Sequence, residues 1–331
     1  MSLSTRITRL CNIKHPVIQG GMHYVGYAEL AAAVSNAGGL GTITALTQPS
    51  PEALRDEIRR TRSLLRDPDT PIAVNLTLLP SLVPPDYGAY GDVVVAENIP
   101  VVETAGHYKG LEPFIEQFKA HGIVLIHKCT QVRHAKAAQR FGADAISMDG
   151  FDCAGHPGEM DIGNWVLLAK AGQELEVPFV ASGGCATGAQ LAAALALGAD
   201  GINMGTRFMA TAEAPIHDGI KNALVESDEH QTTLVMRSLK NTERVFKNEA
   251  ARKVQEIERE KPGDIDAIRD LVRGDNYRKA FQETGNPNDS VWSCGPVMGL
   301  IDDVPTCETL IEDIVREAAD IINARLPRVL N

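Results

Sequence analysis

The chain has 331 residues, a formal net charge of -11 and a sequence pI near 5.3, which disfavours a nucleic-acid partner, because backbone binding needs a clustered basic face. Its length fits one α/β barrel of roughly 250 residues with an insertion as well as it fits two average domains. The six cysteines lack zinc spacing, and no signal segment or apolar run of ~18 residues is present, so we expect a cytoplasmic protein with reduced thiols and no metal.

Short β-rich runs alternate with helix-period segments up to about residue 207, a pattern typical of a parallel sheet with crossover helices. Eight strands, each followed by a helix, predict a (β/α)8 TIM barrel of the α/β class. The predicted strands are residues 16–19, 39–44, 72–77, 101–104, 123–128, 145–148, 179–181 and 201–204. The predicted helices are residues 27–36, 51–65, 111–120, 131–140, 164–175 and 189–197.

The third crossover is the least regular, because the proline-rich residues 79–85 cannot form a helix. We expect a stiff loop there, at the rim of the barrel, where it can cover a ligand.

Beyond the eighth predicted strand the pattern changes to charged helices, with no evident strands. These helices are predicted over residues 217–226, 241–260, 265–271 and 277–281, and a closing helix over residues 300–326 returns to the barrel. The expected domains are a barrel over 1–213 and 300–331 and a helical insertion over 214–299 that covers the active-site face.

Active sites of such barrels lie at the carboxyl ends of the strands, so the residues that follow each strand are the candidates. Paired glycines follow strand seven at Gly183 and Gly184, and strand eight ends in Gly205 and Thr206. Backbone amides there can bind an anion without intervening side chains. We therefore predict a phosphate site over these two strands, against the weaker alternative of ordinary turn glycines.

Three other strand ends supply polar or flexible candidates. After strand one, Gly21 lets the backbone approach a planar ring, and Met22 offers a polarizable apolar contact. Asn75, in the last residues of strand three, can bind the edge of a heterocycle or cap a turn. Lys128 ends strand five, and burial of its charge requires a negative partner. That partner is either a flavin, which gains negative charge at N1 and the C2 carbonyl on reduction, or an acid such as Glu103.

The loop after strand six reads DGFDCAGHPGE and holds a histidine between glycine and proline residues, which permit a sharp turn beside a ligand. His156 is therefore the predicted catalytic residue, as a base or a donor to substrate, with a loop histidine satisfied by the backbone as the plainer alternative. Cys153 is a weak candidate for a thiol nucleophile, because its spacing from His156 fixes no geometry. For His23, His107 and His127 a structural role is favoured.

Together these segments resemble the nitronate monooxygenase family, formerly called 2-nitropropane dioxygenases, which are FMN-containing (β/α)8 barrels with a helical insertion. The resemblance covers nearly the whole chain and rests on the segments PVIQGGM, NAGGL, NLT, HKCT, DGFDCAGHPGE and NMGTR. These segments look most like the subgroup of FMN-dependent NADH:quinone reductases. The resemblance implies a tightly bound FMN held by Gly21, Met22, Asn75, Lys128, Gly155, Gly183, Gly184, Gly205 and Thr206.

The resemblance also assigns roles to the substrate side. His156 matches the family's active-site histidine, and the loop around Pro80 resembles the segment that helps to admit NADH. His23 is grouped with that substrate loop, although the pair His23-Tyr24 departs from many relatives and leaves the polarity of the pocket open.

The expected activity is an NAD(P)H:quinone reductase, with hydride transfer from NADH or NADPH to FMN and two-electron reduction of a quinone. The alternative is a nitronate monooxygenase that uses O2 to oxidise alkyl nitronates to a carbonyl compound and nitrite. Further alternatives are an enoyl-acyl-carrier-protein reductase and a noncatalytic flavin-binding protein. The expected partners are these small molecules, with a homodimer allowed and neither nucleic acid nor membrane.

Overall fold

The structure is a computed structural model that describes residues 3–78, 85–106 and 112–330. Eight parallel strands pair in the order β1-β8-β7-β6-β5-β4-β3-β2, and β1 lies beside β2, where the Leu40 amide donates to the Val17 carbonyl at 3.0 Å. The strands are β1 Val17–Gln19, β2 Gly41–Thr44, β3 Ile72–Leu78, β4 Val101–Gly106, β5 Val124–Cys129, β6 Ala145–Asp149, β7 Phe179–Ser182 and β8 Ile202–Met204. The predicted (β/α)8 barrel is therefore confirmed.

Helices connect consecutive strands and surround the barrel. In chain order they are α1 Arg6–Leu10, α2 Ala28–Asn36, α3 Pro51–Leu64, α4 Tyr87–Ala96, α5 Glu112–Ala120, α6 Val132–Phe141, α7 Asn164–Glu174, α8 Gly188–Ala196, α9 Thr206–Met209, α10 Asp218–Val225, α11 Glu249–Glu260, α12 Ile265–Val272, α13 Asp275–Arg278 and α14 Cys307–Asp320. Thr187 and Gln190 form a capping box that starts α8, and Gly142 ends α6 with φ 108°. Helix α4 was not among the predicted helices.

Within the described residues, no helix has the length and apolar character needed to span a membrane.

The barrel is closed at its amino-terminal end by α1. Ile7 of that helix packs in one buried cluster with Ile18, Ile126 and Val180, which come from β1, β5 and β7. The opposite end of the barrel, where the strands finish, is thereby left as the open end.

The closing helix α14 packs against α2 and α8 on the outside of the barrel. It begins at Cys307, after its N-cap Thr306, and not at residue 300 as predicted, because Pro305 and the extended residues before it cannot continue a helix. Its contact with α8 is close: a Cβ at Gly188 would lie 2.3 Å from the Ile314 carbonyl oxygen.

The segment between α9 and α14 contains an antiparallel hairpin as well as helices. Strands β9 Thr232–Val235 and β10 Glu243–Phe246 form this inserted hairpin, in which Glu243 lies opposite Val235. The expectation of no strands here was wrong, as was a helix over the first part of 241–260. Burial of Val245 and Phe246 against the hairpin's neighbours outweighs the helical pattern, and α11 starts only after Asn248 caps it.

The inserted hairpin has a small core of its own. Val235 and Val245 pack with Val254, Ile268 and Val291, all buried. The segment between α9 and α14 also contributes buried residues to the main core of the barrel, namely Phe246, Phe281, Trp292, Cys294 and Met298. The domain bounds at 214 and 299 stay a prediction.

Candidate active site

Two adjoining cavities open at the carboxyl ends of the strands. The first has a volume of about 180 Å³ and the second about 460 Å³. They share a wall made by Gly21, Lys128, Asp149, Ala154 and Gly155. The two cavities therefore lie side by side at the open end of the barrel.

The structure brings the predicted site residues to these two cavities. The first cavity is lined by Gly21, Met22, His23, Lys128, Gly155, Gly183, Gly184, Gly205 and Thr206. Asn75 and His156 line the second. Pro80 and His107 lie outside the described residues. The roles assigned to these residues stay predictions.

One end of the first cavity presents backbone amides to its interior. The amides of Gly184, Gly205 and Thr206 donate no hydrogen bond within the described part of the chain. A Cβ built on Gly205 would meet only Met22, with Sδ at 3.6 Å, so the space beside this glycine belongs to the cavity. Unpaired donors around an open space suit an anionic group such as a phosphate.

A buried carboxylate organises the floor between the cavities. Glu103, on β4, accepts hydrogen bonds from the Gly21 amide at 2.9 Å, Asn75 Nδ2 at 2.7 Å and Asn203 Nδ2 at 2.8 Å. Its Oε1 also lies 3.5 Å from Lys128 Nζ. Glu103 therefore fixes the glycine backbone of β1 and the Asn75 side chain in one arrangement.

Lys128 lies between two carboxylates, since Asp149 Oδ2 is 3.9 Å from its Nζ on the side away from Glu103. Of the two partners considered for Lys128 from the sequence, the acid is therefore present in the chain itself. Lys128 also lines both cavities, where it could meet a bound group. Contact with the flavin stays a prediction.

Charge and burial oppose each other in this network. Burial alone would raise the pKa of Glu103, but the Lys128 ammonium and the hydrogen bonds from Gly21, Asn203 and Asn75 outweigh it and lower that pKa. Burial likewise opposes the charge of Lys128, yet its two carboxylate neighbours raise the pKa of the ammonium. Lys128 and Glu103 therefore form an ionised pair.

Asp149 differs from Glu103, because burial raises its pKa and the Lys128 ammonium offsets this only in part. Its side chain also accepts a hydrogen bond from Ser147 Oγ at 2.9 Å. The surroundings of Asp149 thus favour its protonated form, whereas those of Glu103 favour the carboxylate. Neither Asp149 nor Asn203 was predicted as a site residue, although Asp149 ends the sixth strand and Asn203 lies within the eighth.

The segment after α9 forms the outer wall of the first cavity. Tyr277, Phe281 and Ser293 line it, and Glu243 accepts hydrogen bonds from Tyr277 Oη and from Ser293 Oγ, the latter at 2.6 Å. Burial, followed by the Glu243 carboxylate, raises the pKa of Tyr277 well above its ordinary value, so the phenol stays protonated. These residues were not predicted, because their positions depend on how the insertion folds back over the barrel.

His127 and Cys153 are buried, whereas His23 borders the first cavity. His127 is buried and its Nδ1 lies 2.9 Å from Thr104 Oγ1. His23 lines the first cavity, and burial lowers its pKa. Burial raises the pKa of Cys153 far above its ordinary value, which argues against the thiol nucleophile that was already the weaker possibility.

Comparison with known proteins gives the family. A model of the nitronate monooxygenase family matches residues 4–98 and 91–317. The chain is 31% identical to the (3aS,4S,5R,7aS)-5-hydroxy-7a-methyl-1-oxo-octahydro-1H-indene-4-carboxyl-CoA dehydrogenase of Rhodococcus jostii strain RHA1, over 98% of each chain. It is also 31% identical to a "Probable nitronate monooxygenase" of Staphylococcus saprophyticus, over 98% of this chain and 100% of that protein.

A solved structure shares the fold of this chain over its whole length. FabK from Thermotoga maritima superposes with a TM-score of 0.89 and 33% identity, covering 100% of both chains. The relatives are oxidoreductases, and their family supports a flavin as cofactor. With its barrel, its paired cavities and its matched length, the chain belongs to the nitronate monooxygenase family of flavin-dependent oxidoreductases.

Proposed function

We propose that the protein binds FMN in the first cavity and exchanges electrons with an acyl-CoA thioester in the second. The unpaired amides of Gly184, Gly205 and Thr206 suit the FMN phosphate, and the flat backbone at Gly21 suits the ring. When bound, FMN supplies a centre that accepts and returns two electrons. The side chains of this protein hold the ring, limit access of water and set the charge beneath it.

The position and charge of Lys240 support the choice of an acyl-CoA substrate. It lines the second cavity and is exposed, and no ion pair of the described residues includes it, whereas its neighbour Arg237 is paired with Asp161. The carboxylates on this cavity are engaged elsewhere: Glu159 binds Thr242, and Asp149 lies beside Lys128. An unneutralised cation at the wall favours a substrate that carries phosphate.

Acyl-CoA thioesters carry phosphate groups, and relatives over the full length of the chain are named as carboxyl-CoA dehydrogenases. In this proposal Lys240 binds a phosphate of CoA while the acyl group lies toward His156 and the ring. His156 would orient the acyl group or move a proton to or from it.

A second candidate is the NAD(P)H:quinone reductase expected from the sequence segments. NAD(P)H also carries phosphates, so Lys240 suits the electron donor of this reaction equally well. A quinone is uncharged and would not need the lysine. The two candidates therefore differ in which molecule reduces the flavin and which one reoxidises it.

Anaerobic stopped-flow mixing of the FMN-loaded protein tests the proposal. The donors are cyclohexanecarboxyl-CoA, its 2-hydroxy derivative, NADH, NADPH and propyl-1-nitronate, each followed by mixing with menadione. We expect a CoA thioester to bleach the flavin absorbance, and Lys240→Gln to weaken that thioester's apparent affinity by about tenfold, which corresponds to roughly 1.4 kcal/mol. Lys247→Gln, an exposed lysine of the same segment that does not line the cavity, is the matched control.

The outcomes separate the alternatives. Bleaching by NADH or NADPH with reoxidation by menadione, and none by either thioester, would replace the proposal with the quinone reductase. Rapid bleaching by the nitronate alone would instead identify a nitronate monooxygenase. Protein that binds FMN and is reduced by none of these donors would contradict both candidates.

A further inference from the structure

His156 is not held in place by its own side chain. It is exposed, and its ring makes no hydrogen bond within the described part of the chain. The position of the imidazole is therefore determined by the backbone of the loop that carries it, residues 149–159, here called the His156 loop.

The inserted hairpin binds the His156 loop just before the histidine. Gly155 and Arg244 form an antiparallel bridge, in which the Arg244 amide donates to the Gly155 carbonyl at 2.7 Å and the Gly155 amide donates back at 3.1 Å. Gly155 has φ 70°, a conformation that favours glycine. The residue next to His156 is thus fixed by a strand that lies 89 positions later in the chain.

The hairpin binds the same loop again just after the histidine. The Glu159 carboxylate accepts hydrogen bonds from the Thr242 amide at 2.8 Å and from Thr242 Oγ1 at 2.6 Å. The Arg244 guanidinium also donates to the Phe151 carbonyl, with Nη2 at 3.0 Å, and lies 4.7 Å from the centre of the Phe151 ring. These contacts fix the loop on both sides of His156.

The hairpin can act as a support because it is itself firmly packed. Thr242 and Arg244 contact the His156 loop, whereas the intervening Glu243 binds two residues of the first cavity's wall, Tyr277 and Ser293, and Val245 enters the hairpin's buried core. Alternation along β10 thus directs successive residues to the loop and to the cavity wall.

We propose that the inserted hairpin positions His156, with Thr242 and Arg244 as its positioning residues. This inference rests on the proposed function only in taking His156 as a site residue. A purely structural contact would stabilise the fold without changing the ring's environment, whereas a positioning contact acts through His156.

Thr242→Val tests the inference, because it removes the hydroxyl donor to Glu159 and keeps the backbone amide. Thr233→Val is the matched control, since Thr233 lies on the same hairpin and accepts a hydrogen bond from Gln255 at 2.6 Å, away from the loop. With whichever donor reduces the flavin, we expect Thr242→Val to slow reduction by about tenfold. We expect no change in FMN affinity, and no further slowing when the variant is combined with His156→Asn.

A second readout does not depend on turnover. The Cε1–H proton resonance of His156 is assigned by its loss in His156→Asn. Its chemical shift should change in Thr242→Val and in Arg244→Lys. It should keep the value of the unmodified protein in Thr242→Ser and in Thr233→Val. An unmoved resonance, or equal slowing by Thr242→Val with and without His156, would overturn the inference. A moved resonance in a protein that His156→Asn leaves fully active would keep the positioning role and contradict the function assigned to His156. If Thr242→Val does not fold, Arg244→Lys takes its place, with Thr233→Val again as the control.

Discussion

At the scale of single residues, Glu103 shows how one buried charge can hold several parts of a site. Its carboxylate binds the Gly21 amide, two asparagine amides and the Lys128 ammonium, so strands β1, β3, β5 and β8 meet on a single side chain of β4. Removal of one partner from such a buried pair leaves an uncompensated charge and costs about 3 to 5 kcal/mol. These contacts therefore tie the floor of the site together through one side chain.

Gly205→Ala should separate cofactor binding from folding. Its φ of -114° suits alanine, and the added methyl group would meet only Met22, so we expect the free energy of unfolding to stay within about 0.5 kcal/mol. Because the methyl group would occupy the cavity, FMN affinity should fall by about tenfold, or roughly 1.4 kcal/mol. Fluorescence titration with FMN and urea unfolding measure the two effects.

Gly163→Ala is the control for this substitution, since its Cβ would meet only Asp152 Oδ2, at 3.7 Å, and Gly163 lines neither cavity. Equal FMN affinity in Gly205→Ala and the unmodified protein would show that the phosphate does not bind here.

His15 should make the protein sensitive to mild acid. Burial, with help from Lys14, lowers the pKa of His15 from 6.5 to about 4, and its buried Nδ1 has no hydrogen-bond partner among the described residues. Below pH 6.5 His15 is protonated in the unfolded chain, whereas in the folded chain it stays neutral until the pH approaches about 4. The free energy of unfolding therefore falls as the pH drops from 6.5 toward 4. At pH 5 this loss amounts to about 2 kcal/mol.

Urea unfolding at pH 7.5 and pH 5.0 measures this loss. The difference between the two pH values should shrink in His15→Met and remain unchanged in His230→Met, because the side chain of His230 is 80% exposed. An unaltered pH dependence in His15→Met would show that another group is responsible.

At the scale of elements, an aromatic stack of the insertion forms part of the main hydrophobic core. The fully buried Trp292 lies 4.5 Å from Phe246 in a parallel arrangement and 5.7 Å from Phe281 in an edge contact. Because Phe281 also lines the first cavity, packing within the insertion affects the shape of the site.

Trp292→Leu should therefore weaken both folding and cofactor binding. We expect the free energy of unfolding to fall by about 3 kcal/mol, through lost burial and a cavity at the stack, and FMN affinity to fall with it. Trp165→Leu is the control, since Trp165 is 74% exposed and should change neither quantity measurably. A stable Trp292→Leu protein would mean that the insertion is held on the barrel by other contacts.

The elements that the sequence did not predict share a physical cause. Helix α4 has the sequence YGAYGDVVVA, in which glycines and β-branched valines disfavour a helix, and packing of its buried Tyr90 and Val94 on the barrel compensates. The four-residue strands of the inserted hairpin are stabilised by each other and by distant Val291, so no local pattern reveals them.

At the scale of the whole molecule, the barrel was predictable because it repeats. Each strand lies within two residues of its predicted position, since buried β-rich runs alternate regularly with helices. The rule that strand ends form the site then led to Gly21, Asn75 and Lys128. The rule cannot show which side chains meet inside the barrel, because that depends on register: Asn75 pairs with Glu103 across β3 and β4. It also cannot identify the residues that the insertion contributes to the cavity wall, such as Tyr277 and Phe281.

The bridge between Gly155 and Arg244 has a consequence for how such proteins diversify. Gly155 belongs to the barrel and Arg244 to the insertion. Barrel and insertion therefore cannot be exchanged between relatives as independent modules. A chimera that receives a foreign insertion should keep its barrel and lose the alignment of its histidine. Recombination within the family would then favour joint inheritance of the two segments.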